Sequence, residues 1–474
     1  MREPAAKPPQ GIHARILQVL EDRNDMRSEI LAHHAERARR LDKAIEYWSR
    51  AGDAAKAKSA YAEAAGHFRR AIALIREEAS QVDRCGQELR LQLQMGHAWR
   101  ATQGQGSQDA QLAYERAYAL LEAAPDQASH RFTAQYGMWV GQIGRGELRN
   151  ALNKAAEALS DAHAGGAPEA LMFGHRLVAS SYFYLGEFEA ARRHFEQALG
   201  LVDFPGRAEF LERFAVDPAA ACLIGLAMVR SIQGHADEAR QLVERARGIE
   251  STITQVLARA IMHLHEAVRA MCVRDRAGAA VDIQLLADLS AKHRLPMYRA
   301  YASCLRGWLE MSAGGSADKA VDAYEWGLAH LAATGTRLYA PVFMAGLALA
   351  LADAGRLDKA ADTIQSAIAV CQDTSQGWCE AELWRVRGQI ASHDRETGRD
   401  ESLRCLERAV SLARTQGARL WELRAVVSLG RLLSDPAQAV DLLAPVYASF
   451  TEGFDTPDLA EASELLSGQA LNRR

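Results

Sequence analysis

A five-residue string occurs twice in this chain, as Arg40-Leu41-Asp42-Lys43-Ala44 and again as Arg356-Leu357-Asp358-Lys359-Ala360. Each copy opens a stretch in which apolar residues recur every three or four positions, the period of an amphipathic helix. A wider frame surrounds the string: a turn residue, an Ala five positions later, a bulky or apolar residue four beyond, and a small residue three further on. Gly186, Ala191, Phe195 and Ala198 carry it best. It returns at Gly146, Ala151, Ala155, Ala158, at Gly234, Ala239, Val243, Ala246, at Gly315, Ala320, Tyr324, Gly327, and at Gly355, Ala360, Ile364, Ala367. Weaker copies centre on Ala44, Ala64, Ala110, Ala280, Ser402 and Ala439, so the period from Ala151 onward is about 40 residues. One helical hairpin buries little apolar surface, and stacked neighbours close the core, so a chain repeating at this interval is expected to fold as an array.

The frame has a packing logic. A small residue lets the next helix approach closely, and the bulky residue one turn later plugs the gap between adjacent helices. No segment sustains the two-residue alternation of a half-buried strand, so the fold class is all-α. Turns are expected at or near Gly146, Gly186, Gly234, Gly315 and Gly355, where a helix end favours glycine.

The 474 residues carry 56 Lys+Arg against 60 Asp+Glu, a net charge of −4. That balance offers no basic excess for nucleic acid or an anionic membrane surface. The seven cysteines are odd in number and widely spread, with no CxxC, which points to a reducing cytoplasm. Residues 1–11 are Pro-rich and polar, unlike a signal peptide, and no run approaches the roughly 18 apolar residues of a membrane span.

Tyr182 on the preceding helix, with Ala191, Phe195 and Ala198, makes the unit resemble the tetratricopeptide repeat, here with a longer period. The two ends resemble something more particular. Leu31-Ala32-His33-His34, followed by Lys43 to Gly52, looks like the entry to the helical-repeat region of bacterial regulators that join a class III nucleotidyl cyclase or transcription-activator domain to a STAND-type ATPase. Leu443-Ala444-Pro445-Val446-Tyr447, continuing Phe450 to Leu459, looks like their closing motif. The resemblance spans residues 12 to 468 and implies a right-handed α-solenoid that binds a peptide, protein or small effector in its concave face. It supplies no cyclase or ATPase residue. On this reading the chain divides into a disordered lead (1–11), an N-terminal helical entry segment (12–52), a tetratricopeptide-like array (53–450) and a C-terminal capping helix and tail (451–474). The alternative is the detached sensor arm of an adenylate or guanylate cyclase or a transcription-regulating ATPase, serving signal transduction only with that partner.

Chemical motifs are sparse. Gly52-Asp53-Ala54-Ala55-Lys56-Ala57-Lys58-Ser59 falls one glycine short of a phosphate-binding P-loop and follows a helix where that loop needs a strand, so it is expected to be helical itself. His33-His34 and His263-x-His265 occupy positions that point to different faces of a helix, unlike an i, i+4 metal pair. There is no HExxH and no GxSxG elbow. Catalytic residues, cofactor and metal ligands are therefore expected to be none.

One recurrence has recognition chemistry. Phe173-x-x-Arg176, Trp384-x-x-Arg387 and Trp421-x-x-Arg424 each place the aromatic 18 residues before an anchor, at Ala191, Ser402 and Ala439. An aromatic and an Arg at i, i+3 share one helix face and offer a stacking surface beside a carboxylate-binding fork. The tetratricopeptide resemblance implies that these six residues line the concave groove. The competing reading is that the aromatics pack between neighbouring first helices and the Arg side chains cover them.

Overall fold

The computed structural model describes residues 10–23, 27–77, 84–123, 130–205, 207–214, 216–393, 398–433 and 435–467. Among the described residues there are 24 α-helices and no strand, the all-α architecture of helical hairpins that the periodicity requires. The chain forms two compact units, residues 1–141 and 142–474.

The first unit contains α1 (Gln10–Asp22), α2 (Ser28–Arg37), α3 (Leu41–Ala57), α4 (Tyr61–Glu77), α5 (Cys85–Gln103) and α6 (Gln108–Leu120), and the division falls inside α7 (Arg131–Arg145). Consecutive helices from α1 to α6 pack against one another. Gly52, in the P-loop-like string, is an interior residue of α3, and a Cβ there would lie 2.4 Å from the Phe68 ring of α4. Its role is close helix approach, as the frame demands of a small residue. Ala55, on the same helix, is buried. Residues 1–9 of the expected disordered lead lie outside the described residues, while Gln10 and Gly11 open α1.

The second unit contains α8 (Leu148–Gly165), α9 (Pro168–Leu185), α10 (Phe188–Leu199), α11 (Arg207–Phe214), α12 (Pro218–Ile232), α13 (Ala236–Glu250), α14 (Val256–Cys272), α15 (Arg276–Lys292) and α16 (Pro296–Ser312). It continues with α17 (Ala317–Ala333), α18 (Ala340–Asp353), α19 (Leu357–Thr374), α20 (Glu380–Ala391), α21 (Gly398–Gln416), α22 (Arg419–Leu432), α23 (Pro436–Ala448) and α24 (Pro457–Leu466). The hairpins are α9/α10, α12/α13 and so on to α22/α23, and their first helices also pack on one another in sequence. The frame residues do what their sizes allow. Ala191, Ala320 and Ala360 are fully buried. The Tyr324 ring fills the space left by two glycines of neighbouring first helices, Gly307 and Gly346, where added Cβ atoms would come within 2.8 and 2.3 Å.

Four of the expected turn glycines, Gly146, Gly186, Gly234 and Gly355, have φ between +76° and +90°. In the fifth turn Gly314 rather than Gly315 takes the left-handed conformation. The weak copy at Ala280 is also displaced by one: Ala279 is fully buried, and Ile283 and Leu286 complete the frame. The long step between Ala191 and Ala239 has a structural cause, since α11 is inserted there.

The unit closes on itself. α12 packs against α22, and the short turn Gly377–Cys379 packs against α9. Across this closure the Tyr184 hydroxyl of α9 lies 3.3 Å from that of Tyr339 and 3.4 Å from Nε2 of His265, while Phe183 meets Trp378 at 5.6 Å between ring centroids. Early first helices thus face late ones through packed aromatics.

Candidate functional site

The three aromatic–Arg pairs occupy different environments, although the repeat frame gives them the same register. Phe173 is fully buried, with its ring against Phe210 and Phe214 of the inserted α11, at centroid distances of 4.8 and 4.5 Å. Arg176 lies 4.7 Å over the same ring and is buried too. The insertion covers the face that the frame alone would leave open to a groove.

Trp384 packs partly buried against the apolar cluster of α21 to α24 and donates Nε1 to Glu380 of its own helix. Arg387 lies 5.4 Å over that indole, donates Nη2 to Glu401 at 2.6 Å and Nη1 to Gln365 at 2.6 Å. Here the aromatic fills a seam and the Arg covers it toward solvent.

Trp421 and Arg424 face inward. The Trp421 indole is buried and donates Nε1 to the Trp378 carbonyl at 3.1 Å. Arg424 lies 5.0 Å over that ring, donates Nε and Nη2 to the two Asp458 oxygens at 2.8 and 2.7 Å, and gives Nη2 also to the Cys272 carbonyl at 2.6 Å. Burial opposes charge on both members. The guanidinium nevertheless holds the Asp458 carboxyl below its usual range, and Asp458 with Glu382 raises Arg424.

These two residues line a half-open cavity of about 580 Å³ bordered by the first helices of the late repeats and by α24. Its walls include Trp308 from α16, Val342 and Gly346 from α18, Glu382, Arg385 and Gln389 from α20, Val427 and Arg431 from α22, Arg274, and Asp458 and Glu461 from α24. Four arginines face three carboxylates, and Arg385 is held by Glu382 at 2.7 Å. The α20 lining runs 382, 385, 386, 389, so that helix is turned by about one residue relative to the frame, which is why Arg385 rather than Arg387 reaches the cavity. The mixture of half-buried indole, apolar wall and Arg forks suits recognition of an acidic or amphipathic chain segment.

Among the described residues that line this cavity there is no histidine beside the cysteine and serine side chains. The two histidine pairs behave differently: the rings of His33 and His34 stay together, 5.6 Å apart and both beside His13 at 6.1 and 5.1 Å, whereas His263 and His265 take separate partners. His263 bridges Asp282 at 2.9 Å and Glu250 at 3.0 Å, whereas His265 bonds its own helix at the Ile261 carbonyl. Burial alone would depress His263, but the two carboxylates raise it to about 9. Among the described residues a metal-compatible group is formed by Glu29, Glu63 and His67, with ligand atoms within 4.8 Å of one another and both carboxylates exposed. Sequence spacing did not single it out, because Glu29 comes from another helix. No helix among the described residues is long and apolar enough to cross a membrane.

No protein-family model matches the chain. It is 24% identical over 433 residues to an uncharacterised protein of Rhizobium meliloti strain 1021, and spans 41% of that protein's length. It is similar in structure to a Rap protein complexed with competence and sporulation factor, with a TM-score of 0.49 at 14% identity over 81% of this chain and 99% of that one. It is also similar to the Cut9–Hcn1 hetero-tetramer of the APC/C, with a TM-score of 0.44 at 13% identity over 90% of this chain and 87% of that one. A STAND protein with a tetratricopeptide repeat sensor from Pyrococcus horikoshii aligns with a TM-score of 0.38 at 12% identity over 77% of this chain and 50% of that one.

Proposed function

We propose that this chain is a non-catalytic protein-interaction scaffold that takes a segment of a partner protein into the cavity lined by Trp308, Arg385, Trp421 and Arg424. The observation that carries this reading is the cavity itself: inner helices of four successive repeats border it, and it combines aromatic surface with arginine forks. A cytoplasmic setting agrees with seven cysteines spread along the chain. Of the six residues singled out in the sequence, Trp421 and Arg424 form the recognition wall. Trp384 and Arg387 support it from the adjacent seam, and Phe173 and Arg176 hold the insertion.

The test is photo-crosslinking in the native cell with a photoreactive residue at position 308, followed by identification of the bound protein. That protein has to be retained by the wild-type chain and lost from a Trp308→Ala/Arg385→Ala variant that melts normally. Equal retention by both would remove the cavity as the binding site.

A second reading is favoured by the length of the Rhizobium meliloti relative, of which this chain spans 41%. In that reading the repeats act as the sensor arm of a larger regulator, a nucleotidyl cyclase or a STAND-type ATPase, and the cavity takes a small effector or a segment of the catalytic partner. Crosslinking to such a protein would separate the two.

A further inference from the structure

Acidic residues recur every third position near the C-terminus, at Glu452, Asp455, Asp458 and Glu461. Each meets a donor contributed from elsewhere in the second unit. Glu452 accepts from the backbone N–H groups of Asp237 and Glu238 at the start of α13, at 3.2 and 3.3 Å. Asp455 pairs with Arg240 of α13 at 2.6 Å. Asp458 receives Arg424 and, at 3.1 Å, Arg274. Glu461 receives Arg274 and Arg431, each at 2.6 Å. The spacing of the acids thus matches a row of donors brought together where α12 closes onto α22.

We infer that this row is a binding site for an acidic segment of a partner protein with carboxylates at three-residue spacing, and that residues 452–461 occupy it as a resident, competing ligand. The inference rests on the scaffold reading above and names the chemistry of its partner. One feature makes the outer carboxylates of the resident segment replaceable. Arg240, Arg274 and Arg431 remain 45%, 47% and 46% exposed while docked, so a second acidic chain can reach them before the first has left. α24 has ten residues, too few for a helix stable on its own, so its order depends on its docked contacts, which include Leu459, Ala462 and Leu465 in the core beside α22. Asp458, only 3% exposed in its side chain, is the residue that leaves last.

The probe is a fluorescent peptide with the sequence of residues 450–467. It is titrated into the full-length chain and into full-length Glu452→Gln/Asp455→Asn/Glu461→Gln, which spares the buried Asp458. Removing the internal competitor has to tighten binding about tenfold or more, because a tethered segment competes at high effective concentration. A peptide with Glu452, Asp455, Asp458 and Glu461 replaced by their amides has to bind neither protein, and adding Arg274→Gln has to weaken the variant again. Equal affinity for the acidic and amide peptides would overturn the inference, as would a variant that binds no tighter than wild type while melting normally. If the variant melts early, hydrogen exchange on the wild-type chain decides: saturating acidic peptide has to accelerate exchange at amides 458–466, and unchanged exchange overturns the proposal. Pairing of two copies through exchanged C-terminal segments, seen by sedimentation, would overturn it too. Loss of crosslinking in the Trp308→Ala/Arg385→Ala variant alongside indifference to the peptide would leave the scaffold reading standing and this inference fallen.

Discussion

Arg424 grips both carboxylate oxygens of Asp458, 34 residues further along the chain, with Nε and Nη2, and the two side chains are 12% and 3% exposed. Arg387 occupies the equivalent place one repeat earlier and pairs with Glu401, where the side chains are 29% and 43% exposed. The same repeat position therefore holds a buried ion pair in one unit and a solvent-facing one in the next.

The two arginines are expected to respond very differently to truncation. Arg424→Ala takes two hydrogen bonds from the buried Asp458 carboxylate and leaves Arg274 as its cation, so it has to cost about 3 kcal/mol, the low end for breaking a buried pair. Arg387→Ala removes a surface pair worth about 0–1 kcal/mol, with some packing lost over Trp384. Urea denaturation of the two single variants measures the difference, and equal midpoints would refute the assigned burial.

Two glycines should also move stability in opposite directions. Gly346→Ala puts a Cβ 2.3 Å from the Tyr324 hydroxyl oxygen and has to overpack the seam, at a cost of about 1–3 kcal/mol. Gly66 lies inside α4 with nothing within 4 Å of its added Cβ, so Gly66→Ala should stabilise by about 0.5–1 kcal/mol through helix propensity. Thermal melts of both variants give the signs directly.

The frame of Ala191, Phe195 and Ala198 was legible because a four-plus-three spacing fixes one helix face, and helix contacts within a hairpin are local in sequence. The placement of Ala279 against Ala280 was missed because adjacent alanines satisfy the pattern equally and only packing distinguishes them. The groove reading of Phe173 did not anticipate α11, since the long step from Ala191 to Ala239 announces extra residues but not the face they cover. The inward turn of α20, which brings Arg385 rather than Arg387 to the cavity, depends on where the Trp384 indole fits against α21 and α22. Arg424 and Asp458 are joined by closure of the repeats, which no local pattern specifies, although the three-residue spacing of the acids was in plain view.

Stability should fall as pH rises from about 6.5 to 9, through His263. Its folded value of about 9 stands above the ordinary 6.5, so the ion pairs with Asp282 and Glu250 contribute fully below 6.5 and are lost as the ring deprotonates. Glu250 is depressed and loses its contribution only on acidification, and His175, lowered to about 4, also acts below this window. His263→Gln should flatten the wild-type decline between pH 6.5 and 9 when melting temperature is followed against pH. An unchanged slope would show that the ring is neutral in the folded chain.

Thiol chemistry offers the last test, because burial separates the cysteines sharply. Cys85 is half-buried, whereas Cys222, Cys272, Cys304, Cys371, Cys379 and Cys405 are buried. Burial pushes Cys222 and Cys272 up to about 12, leaving little thiolate at pH 8 even where reagent could enter. Cys371 and Cys379 come together in the fold, each donating Sγ toward the Gln376 carbonyl, at 3.2 and 3.6 Å beneath the buried Trp378. Iodoacetamide at pH 8 should therefore modify Cys85 first in the native chain, and the other six only at the rate of opening, with all seven reacting together in denaturant. Mass spectrometry of timed digests reads the order, and native labelling of Cys371 or Cys379 at the rate of Cys85 would refute the closure of the second unit over Trp378.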